Sequence, residues 1–195
     1  MANKPYHHGD LRTELVALAT TEIAQNGLEG LSVRALARDA GVAHRAAYQH
    51  FPDKSALIAA VLRGGFLRLT ACLTGGEEVI SPKNRLRRIA KAYSTFAFDE
   101  PNLFLAMTGP RINQSGTYPD LEKAIFLSWQ PVTDAVRDGV EAGDFTLKDK
   151  HAVAAIFWGG LQGVLTQALL KRLKIKPTDR EKFFQTVAER LIAGL

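Results

Sequence analysis

Residues 44–50 (HRAAYQH) hold the side chains best suited to recognition chemistry. The segment carries a guanidinium, an amide, a phenol and two imidazoles, with two small alanines between them. A guanidinium can donate two parallel hydrogen bonds to guanine and an amide can pair with adenine, so we expect Arg45 to read guanine and Gln49 adenine. The residues expected to face DNA are His44, Arg45, Tyr48, Gln49 and His50. Tyr48 and His50 have a second interpretation, in which they only cap the small domain.

A helix-turn-helix is predicted to position this segment. A helix of about seven residues is unstable alone, so its neighbours must hold it. Ser32 is a good N-cap for a preceding helix, and Gly41 ends that helix because glycine adopts a left-handed backbone at little cost. Between them, apolar residues recur at helical spacing: Val33, Leu36, Ala37 and Ala40. Such a pair, with hydrogen-bonding groups on the second helix, is typical of a unit whose second helix enters the DNA major groove.

Longer helices are predicted on both sides of this unit. Residues 10–26 have an amphipathic pattern that ends at Gly27, and their core stripe is Leu11, Leu15, Leu18, Ala19 and Ile23. Another helix is expected from Pro52 to about Thr74, with the glycine pair at 64–65 as a weak point. We expect this fourth helix to leave the DNA-binding domain and enter a second domain.

These segments resemble the N-terminal DNA-binding domain of the TetR family of bacterial transcriptional repressors, over residues 15–61. The matching runs are ALATTEIAQNG at 17–27, LSVRALARDAGV at 31–42 and YQHFPDKSAL at 48–57. Two further runs, YHHGDLR at 6–12 and FWGGLQG at 157–163, resemble a branch with a tryptophan-x-glycine signature in its C-terminal domain. The chain departs from the family at Ala43, where serine is usual, so one cap of the recognition helix is lost.

The resemblance implies roles for individual residues. Arg34 corresponds to a position that reaches a base edge or a phosphate. Lys54 corresponds to a phosphate clamp that also uses the N-terminus of its helix. The base-reading positions correspond to His44, Arg45 and Ala46. The phosphate-contacting positions correspond to Tyr48 and His50. Phe51 is expected in the core rather than at the DNA.

The rest of the chain predicts a second, helical domain of five helices. The first of them is expected to start near Pro82 and to turn one stripe inward: Leu86, Ile89, Ala90, Tyr93, Phe96 and Ala97. The aromatic residues of this domain have two interpretations: an ordinary core, or the lining of a ligand cavity with a few polar groups. The resemblance favours a cavity among residues 60–170, and the candidates are Phe66, Tyr93, Phe96, Phe104, Met107, Trp129, Trp158 and Gln162. The core stripes carry no obvious acidic or basic residue. A mostly apolar effector is therefore expected, since an unpaired buried charge is very costly.

Residues 152–170 (AVAAIFWGGLQGVLTQALL) are apolar over a length that could span a membrane. Gln162, Thr166 and Gln167 interrupt the run, and its glycines permit close approach of helices. We interpret it as a helix buried in a homodimer rather than a membrane span. TetR-family members dimerise through their last two helices, which implies pairing through 147–173 and 178–193, with Phe183, Val187 and Leu191 buried.

The composition excludes several other classes of protein. The chain has 195 residues, a net charge of +5 and one cysteine, Cys72, which excludes an internal disulfide and a cysteine-rich metal site. Its histidines lack metal-ligand spacing. Residues 1–9 are expected to form a loose arm, whose His7 and His8 either contact the DNA backbone or minor groove or stay disordered. The sequence shows no recognisable set of catalytic residues and no recognisable phosphate-binding loop. We therefore expect no enzyme activity, metal or cofactor. The absence of a signal peptide predicts a cytoplasmic protein.

Together these patterns predict an all-α protein with a three-helix helix-turn-helix domain at 1–55 and a helical effector-binding and dimerisation domain at 56–195. The expected function is that of a one-component transcriptional regulator, a repressor. It would bind a palindromic double-stranded DNA operator as a homodimer and be released by a small effector. One alternative is a small helical ligand-binding protein or enzyme without a DNA-binding role. Another is a DNA-binding scaffold that lacks a ligand.

Overall fold

The structure, a computed structural model, describes residues 8–76, 80–109 and 116–195, with side chains from residue 11 onward. The described part is entirely helical, as predicted. Its α-helices are α1 His8–Asn26, α2 Val33–Asp39, α3 His44–His50, α4 Lys54–Thr74, α5 Pro82–Asp99, α6 Pro101–Thr108, α7 Pro119–Glu141, α8 Lys150–Leu169 and α9 Arg180–Ala193. A short 3-10 helix, Pro177–Asp179, precedes α9. The predicted arm falls largely outside the described residues, and α1 begins at His8.

The chain divides into two compact units. Unit 1 comprises the described residues of Met1–Gly65 and Asn102–Lys123. Unit 2 comprises the described residues of Phe66–Pro101 together with Ala124–Leu195. Helices α4 and α7 each contribute residues to both units. The domains at 1–55 and 56–195 follow the order of motifs along the sequence, and that division stays a prediction.

In unit 1, local sequence signals set the limits of α1 to α3. The Ser32 hydroxyl accepts a hydrogen bond from the Ala35 amide at 3.4 Å, which is the predicted N-cap of α2. Gly41 has a φ of +70° and ends that helix, as predicted. Of the predicted stripe on α1, Leu18 is half-buried and the other four members are buried: Leu11, Leu15, Ala19 and Ile23.

Helix α6 packs against α4 and forms hydrogen bonds with the end of α1. Helix α4 runs unbroken through the glycine pair that we expected to be a weak point. A Cβ on Gly65 would lie 2.7 Å from the sulfur of Met107 on α6, so the missing side chain permits close packing. At the other end of α6, the Asn102 amide donates hydrogen bonds to the carbonyls of Ala24 at 2.9 Å and Gln25 at 3.4 Å. These are carbonyls at the end of α1, where intrahelical donors run out.

In unit 2, α5 packs against α9. The predicted core stripe of α5 is buried throughout: Leu86, Ile89, Ala90, Tyr93, Phe96 and Ala97. Arg87 joins the two helices by donating from Nε and Nη2 to the Glu189 carboxylate, at 2.7 and 2.9 Å. These hydrogen bonds hold the pKa of Glu189 below its ordinary value. Lys91 makes a parallel ion pair with Glu181 at 2.9 Å.

Helix α8 is shorter than the predicted range 147–173. It begins after Asp149, whose carboxylate accepts hydrogen bonds from the amides of His151 and Ala152, at 2.9 and 3.3 Å. Its last residue is Leu169, and Lys171, two residues further on, has a left-handed backbone with a φ of 57°. Lysine there carries no sequence signal for a helix end, because glycine is the usual residue in this conformation. The prediction therefore extended the helix too far.

Candidate nucleic-acid interface

Helix α3 turns its polar side chains outward. The four exposed residues of the helix that carry hydrogen-bonding groups are His44, Arg45, Tyr48 and Gln49. Ala46 and His50 are half-buried. Ala47 is the one fully buried residue of α3 and packs the helix against the rest of unit 1. The structure thus places all six residues predicted for this helix on one short segment, with four of them open to a partner.

An aromatic contact organises this surface. The rings of His44 and Tyr48 meet edge to face, with centroids 4.8 Å apart and an interplanar angle of 80°. They lie one helical turn apart, so the contact holds both rings on the same face. Tyr48 remains 40% exposed. Its phenol group is therefore available to a phosphate oxygen while its ring is held in place.

The remaining predicted contact residues flank α3. Arg34 is exposed on α2, and Lys54 is exposed at the first position of α4. The Asp53 carboxylate caps α4 by accepting a hydrogen bond from the Ala56 amide at 2.8 Å. Within the described residues, no carboxylate forms an ion pair with Arg34, Arg45 or Lys54. Their positive charges are left to an anionic partner.

Sequence reasoning missed Arg12, which lies beside the end of α3. Its guanidinium carbon is 5.1 Å from the centre of the Phe51 ring. Phe51 is only 3% exposed, which confirms its predicted place in the core, and its amide closes α3 by donating to the Ala47 carbonyl at 3.0 Å. A basic residue at the exposed start of a helix gave no signal that distinguished Arg12 from an ordinary surface arginine.

The candidate effector residues fall in both units. Phe104 and Met107 belong to unit 1, and the other six belong to unit 2. Three of those six meet in a row: the rings of Tyr93 and Trp158 have centroids 4.5 Å apart, and those of Trp158 and Trp129 are 5.0 Å apart. Burial raises the pKa of the Tyr93 phenol. Gln162 is half-buried one turn beyond Trp158, and Phe66 and Phe96 are buried.

Two surface depressions lie apart from these eight residues. One, of about 860 Å³, runs between α5 and α9 in unit 2, where the ion pairs of Arg87 and Lys91 line its sides. The other, of about 870 Å³, lies in unit 1. Neither is lined by a residue of the predicted effector set.

Metal and membrane signals are weak in the described part of the chain. It holds no group of three or more metal-ligating side chains of the histidine, cysteine and carboxylate types. Two helices, α4 and α8, are long and apolar enough to cross a membrane by length and composition alone. Half of the most apolar stretch of α4 and a third of that of α8 are buried inside the structure, and core helices pass the same test.

Comparison with known proteins gives two family matches. Residues 15–61 match the bacterial regulatory proteins of the tetR family, and residues 86–191 match the tetracyclin repressor-like C-terminal domain. The HTH-type transcriptional repressor KstR2 of Rhodococcus jostii is 40% identical over 53 residues, which are 27% of this chain and 26% of that protein. The match therefore spans about a quarter of that relative.

Solved structures match this chain over nearly its whole length. A protein of unknown function from Rhodococcus sp. RHA1 is 31% identical, with 99% of both chains covered and a TM-score of 0.81. The transcriptional regulator FadR of Bacillus subtilis, solved with stearoyl-CoA, is 18% identical, with coverage of 94% and 98% and a TM-score of 0.75. Because FadR is only 18% identical, its likeness to this chain shows the fold alone. With a helix-turn-helix match at one end and a C-terminal domain match over more than half of its length, the chain belongs to the TetR family of bacterial transcriptional regulators.

Proposed function

We propose that this protein is a ligand-responsive repressor that binds a palindromic operator as a homodimer. The observation that carries the DNA-binding part is the surface of α3, where four polar side chains are exposed and one alanine anchors the helix. Arg45 would read guanine, and Tyr48, His50 and Lys54 would hold phosphates. The protein would act by binding alone, in the cytoplasm, without a metal or cofactor.

The proposed dimer rests on the outer face of α8. Ala155, Gly159 and Gly163 are exposed at intervals of four residues, and Ile156 beside them is 45% exposed. A Cβ on Gly163 would meet no atom within 4 Å. Such a stripe of small and apolar residues allows a second helix to approach closely, and a partner copy would cover it. On α9, Phe183, Val187 and Leu191 are half-buried in the single chain.

The dimer is tested by a bulky substitution on that face. Gly163→Trp should shift the sedimentation coefficient of the micromolar protein from dimer to monomer. Thr133→Trp, at an exposed position of α7, is the matched control and should leave the dimer intact. Gly160 is unsuitable, because a Cβ there would lie 2.7 Å from Leu191 of the same chain. A monomeric unmutated chain would overturn the proposed dimer.

Regulation would follow from the two copies of α3 in the dimer. They must sit about one DNA turn (about 34 Å) apart, or a multiple of it, to enter successive major grooves. An effector that prefers an arrangement with another spacing lowers operator affinity. A mostly apolar effector is favoured by the aromatic row of Tyr93, Trp158 and Trp129. FadR was solved with stearoyl-CoA and RolR with resorcinol, so a long acyl chain on a charged carrier and a small aromatic molecule both occur as ligands on this fold.

The proposed function is tested by selecting sequences from random double-stranded DNA. The protein should enrich a palindrome, and Arg45→Ala should lose the preference at one base pair of each half-site. The enriched DNA then serves in a release assay with apolar and aromatic compounds. No binding to DNA even at low salt would favour the alternative of a helical ligand-binding protein with no role at DNA. Binding without sequence preference would overturn the proposed operator recognition.

A further inference from the structure

The cavity of about 870 Å³ in unit 1 lies beside the recognition helix. Its walls come from α1, the end of α3, the first half of α4 and the start of α7, all within that unit. Much of the lining is apolar and includes Val16, Phe51, Ala59, Ala60 and Leu121. About half of the exposed lining is apolar, and a concave surface of this size that combines apolar area with polar groups can hold a small molecule.

The charged groups at this cavity are mainly basic. Arg12 and Arg63 both line it and both are exposed, and His50 adds a half-buried imidazole. Within the described residues, neither guanidinium forms an ion pair. Among the described residues of the lining, Asp120 is the one that carries a carboxylate. The nearby Glu122 does not line the cavity, and its carboxylate accepts a hydrogen bond from the Gly116 amide.

We infer that this cavity binds a small organic anion with an apolar body. Its charged group would face Arg12 and Arg63, and its body would lie on the half-buried Val16 and Ala60. Charge complementarity selects the anion, because the two guanidinium groups would repel a cation, and a neutral molecule would form no charge-assisted hydrogen bond with an anionic group. This site is separate from the aromatic row of unit 2, and its effect on transcription rests on the proposed function.

Such a ligand would touch the end of the recognition helix directly. His50 is the last residue of α3, and Phe51 closes the helix through its amide. An anion beside them would oppose the DNA phosphates expected at His50 by like-charge repulsion. Operator affinity should therefore fall when the cavity is filled.

The binding itself can be measured without DNA. The full-length protein, with labelled alanine and leucine methyl groups, is titrated with octanoate, octan-1-ol and octylammonium, which share one chain and differ in charge. Octanoate should shift the methyl resonances of Ala59, Ala60 and Leu121, and octylammonium should not shift them at the same concentration. Octan-1-ol binding as tightly as octanoate would overturn the inferred charge selection.

Two matched variants test which positive charge of unit 1 binds the carboxylate of octanoate. Arg63→Gln should weaken octanoate binding about tenfold or more, which is the size of one charge-assisted hydrogen bond. Lys123→Gln removes a positive charge from the same unit outside the cavity lining and should leave binding unchanged. An equal loss in both variants, or shifts confined to unit 2, would overturn the site.

A DNA experiment separates a ligand site from a further phosphate contact. If Arg63→Gln weakens DNA binding and lowers its salt dependence without octanoate, Arg63 is a phosphate contact and the inference is wrong. If octanoate shifts the cavity methyl groups but leaves operator affinity unchanged, the site stands and its link to transcription is wrong. If no DNA preference is found at all, the proposed function fails while the methyl shifts still decide the site.

Discussion

Helices α2 and α3 are both seven residues long, yet they use their side chains in opposite ways. Helix α2 buries Val33, Leu36 and Ala37 and has a side-chain cap from Ser32. Helix α3 buries Ala47 and has no side-chain cap at Ala43. The comparison indicates that α2 supplies stability to the motif and that α3 is held by its neighbours, which leaves its surface for recognition.

The largest expected effect comes from removing the apolar anchor of α2. Leu36 is 4% exposed, so Leu36→Ala should lower the free energy of unfolding by about 2–5 kcal/mol through lost burial and a cavity. Urea unfolding followed by circular dichroism measures the change. Arg38→Ala, an exposed position on the same helix, is the control and should change it by less than about 0.5 kcal/mol. Equal losses in both variants would contradict the anchoring role.

On α3, the expected loss is in recognition rather than stability. Arg45→Ala should weaken operator binding by about 1–3 kcal/mol and relax one base preference, with little change in the free energy of unfolding. Lys54→Ala should weaken binding to all DNA sequences about equally and reduce the salt slope by about one ion. Equilibrium binding to the operator and to single-base variants at several salt concentrations distinguishes them. The opposite pattern would reverse the two roles.

A smaller effect is expected at the cap of α2. Ser32→Ala removes the acceptor of the Ala35 amide and should cost about 1 kcal/mol of unfolding free energy. Ser32→Asp keeps an acceptor at the same place and should retain most of the stability. If the aspartate variant loses as much as the alanine variant, the side-chain cap does not stabilise α2.

The smallest expected effect is a gain in stability, from adding a cap to α3. Ala43→Ser offers α3 the hydroxyl cap that it lacks, and should raise the free energy of unfolding by about 0.5 kcal/mol, at the low end of measured caps. Ala43→Val has a similar size without a hydroxyl and serves as the control. No difference between the two variants in thermal unfolding would show that α3 gains nothing from a cap.

The fold was predictable where local chemistry decides it. Ser32 and Gly41 set the limits of α2, and the spacing of apolar residues on α5 predicted its whole buried face. The prediction erred at the end of α8, where Lys171 takes a conformation that glycine usually adopts. It also treated the glycine pair of α4 as a weak point, since nothing local shows that Gly65 faces Met107.

The candidate contacts on α3 were predictable because they lie within one short segment. The cavity of unit 1 was not, because its lining joins α1 to a segment more than forty residues beyond the end of α4. The effector candidates were chosen by residue type, which indicates burial, and only tertiary packing places Phe104 and Met107 in unit 1 with α1. Their role in a ligand site stays a prediction.

The hydrogen bonds from Asn102 to the end of α1 set an order of events during protein synthesis. Residues 66–101, which belong to unit 2, must leave the ribosome before α6 can reach the carbonyls of Ala24 and Gln25. Contacts between residues so far apart in sequence form late, since a long loop must close first. A nascent chain that carries the complete helix-turn-helix still lacks its α6 partner. The DNA-binding unit of this regulator therefore gains its contacts with α6 only after residues 66–101 have been synthesised.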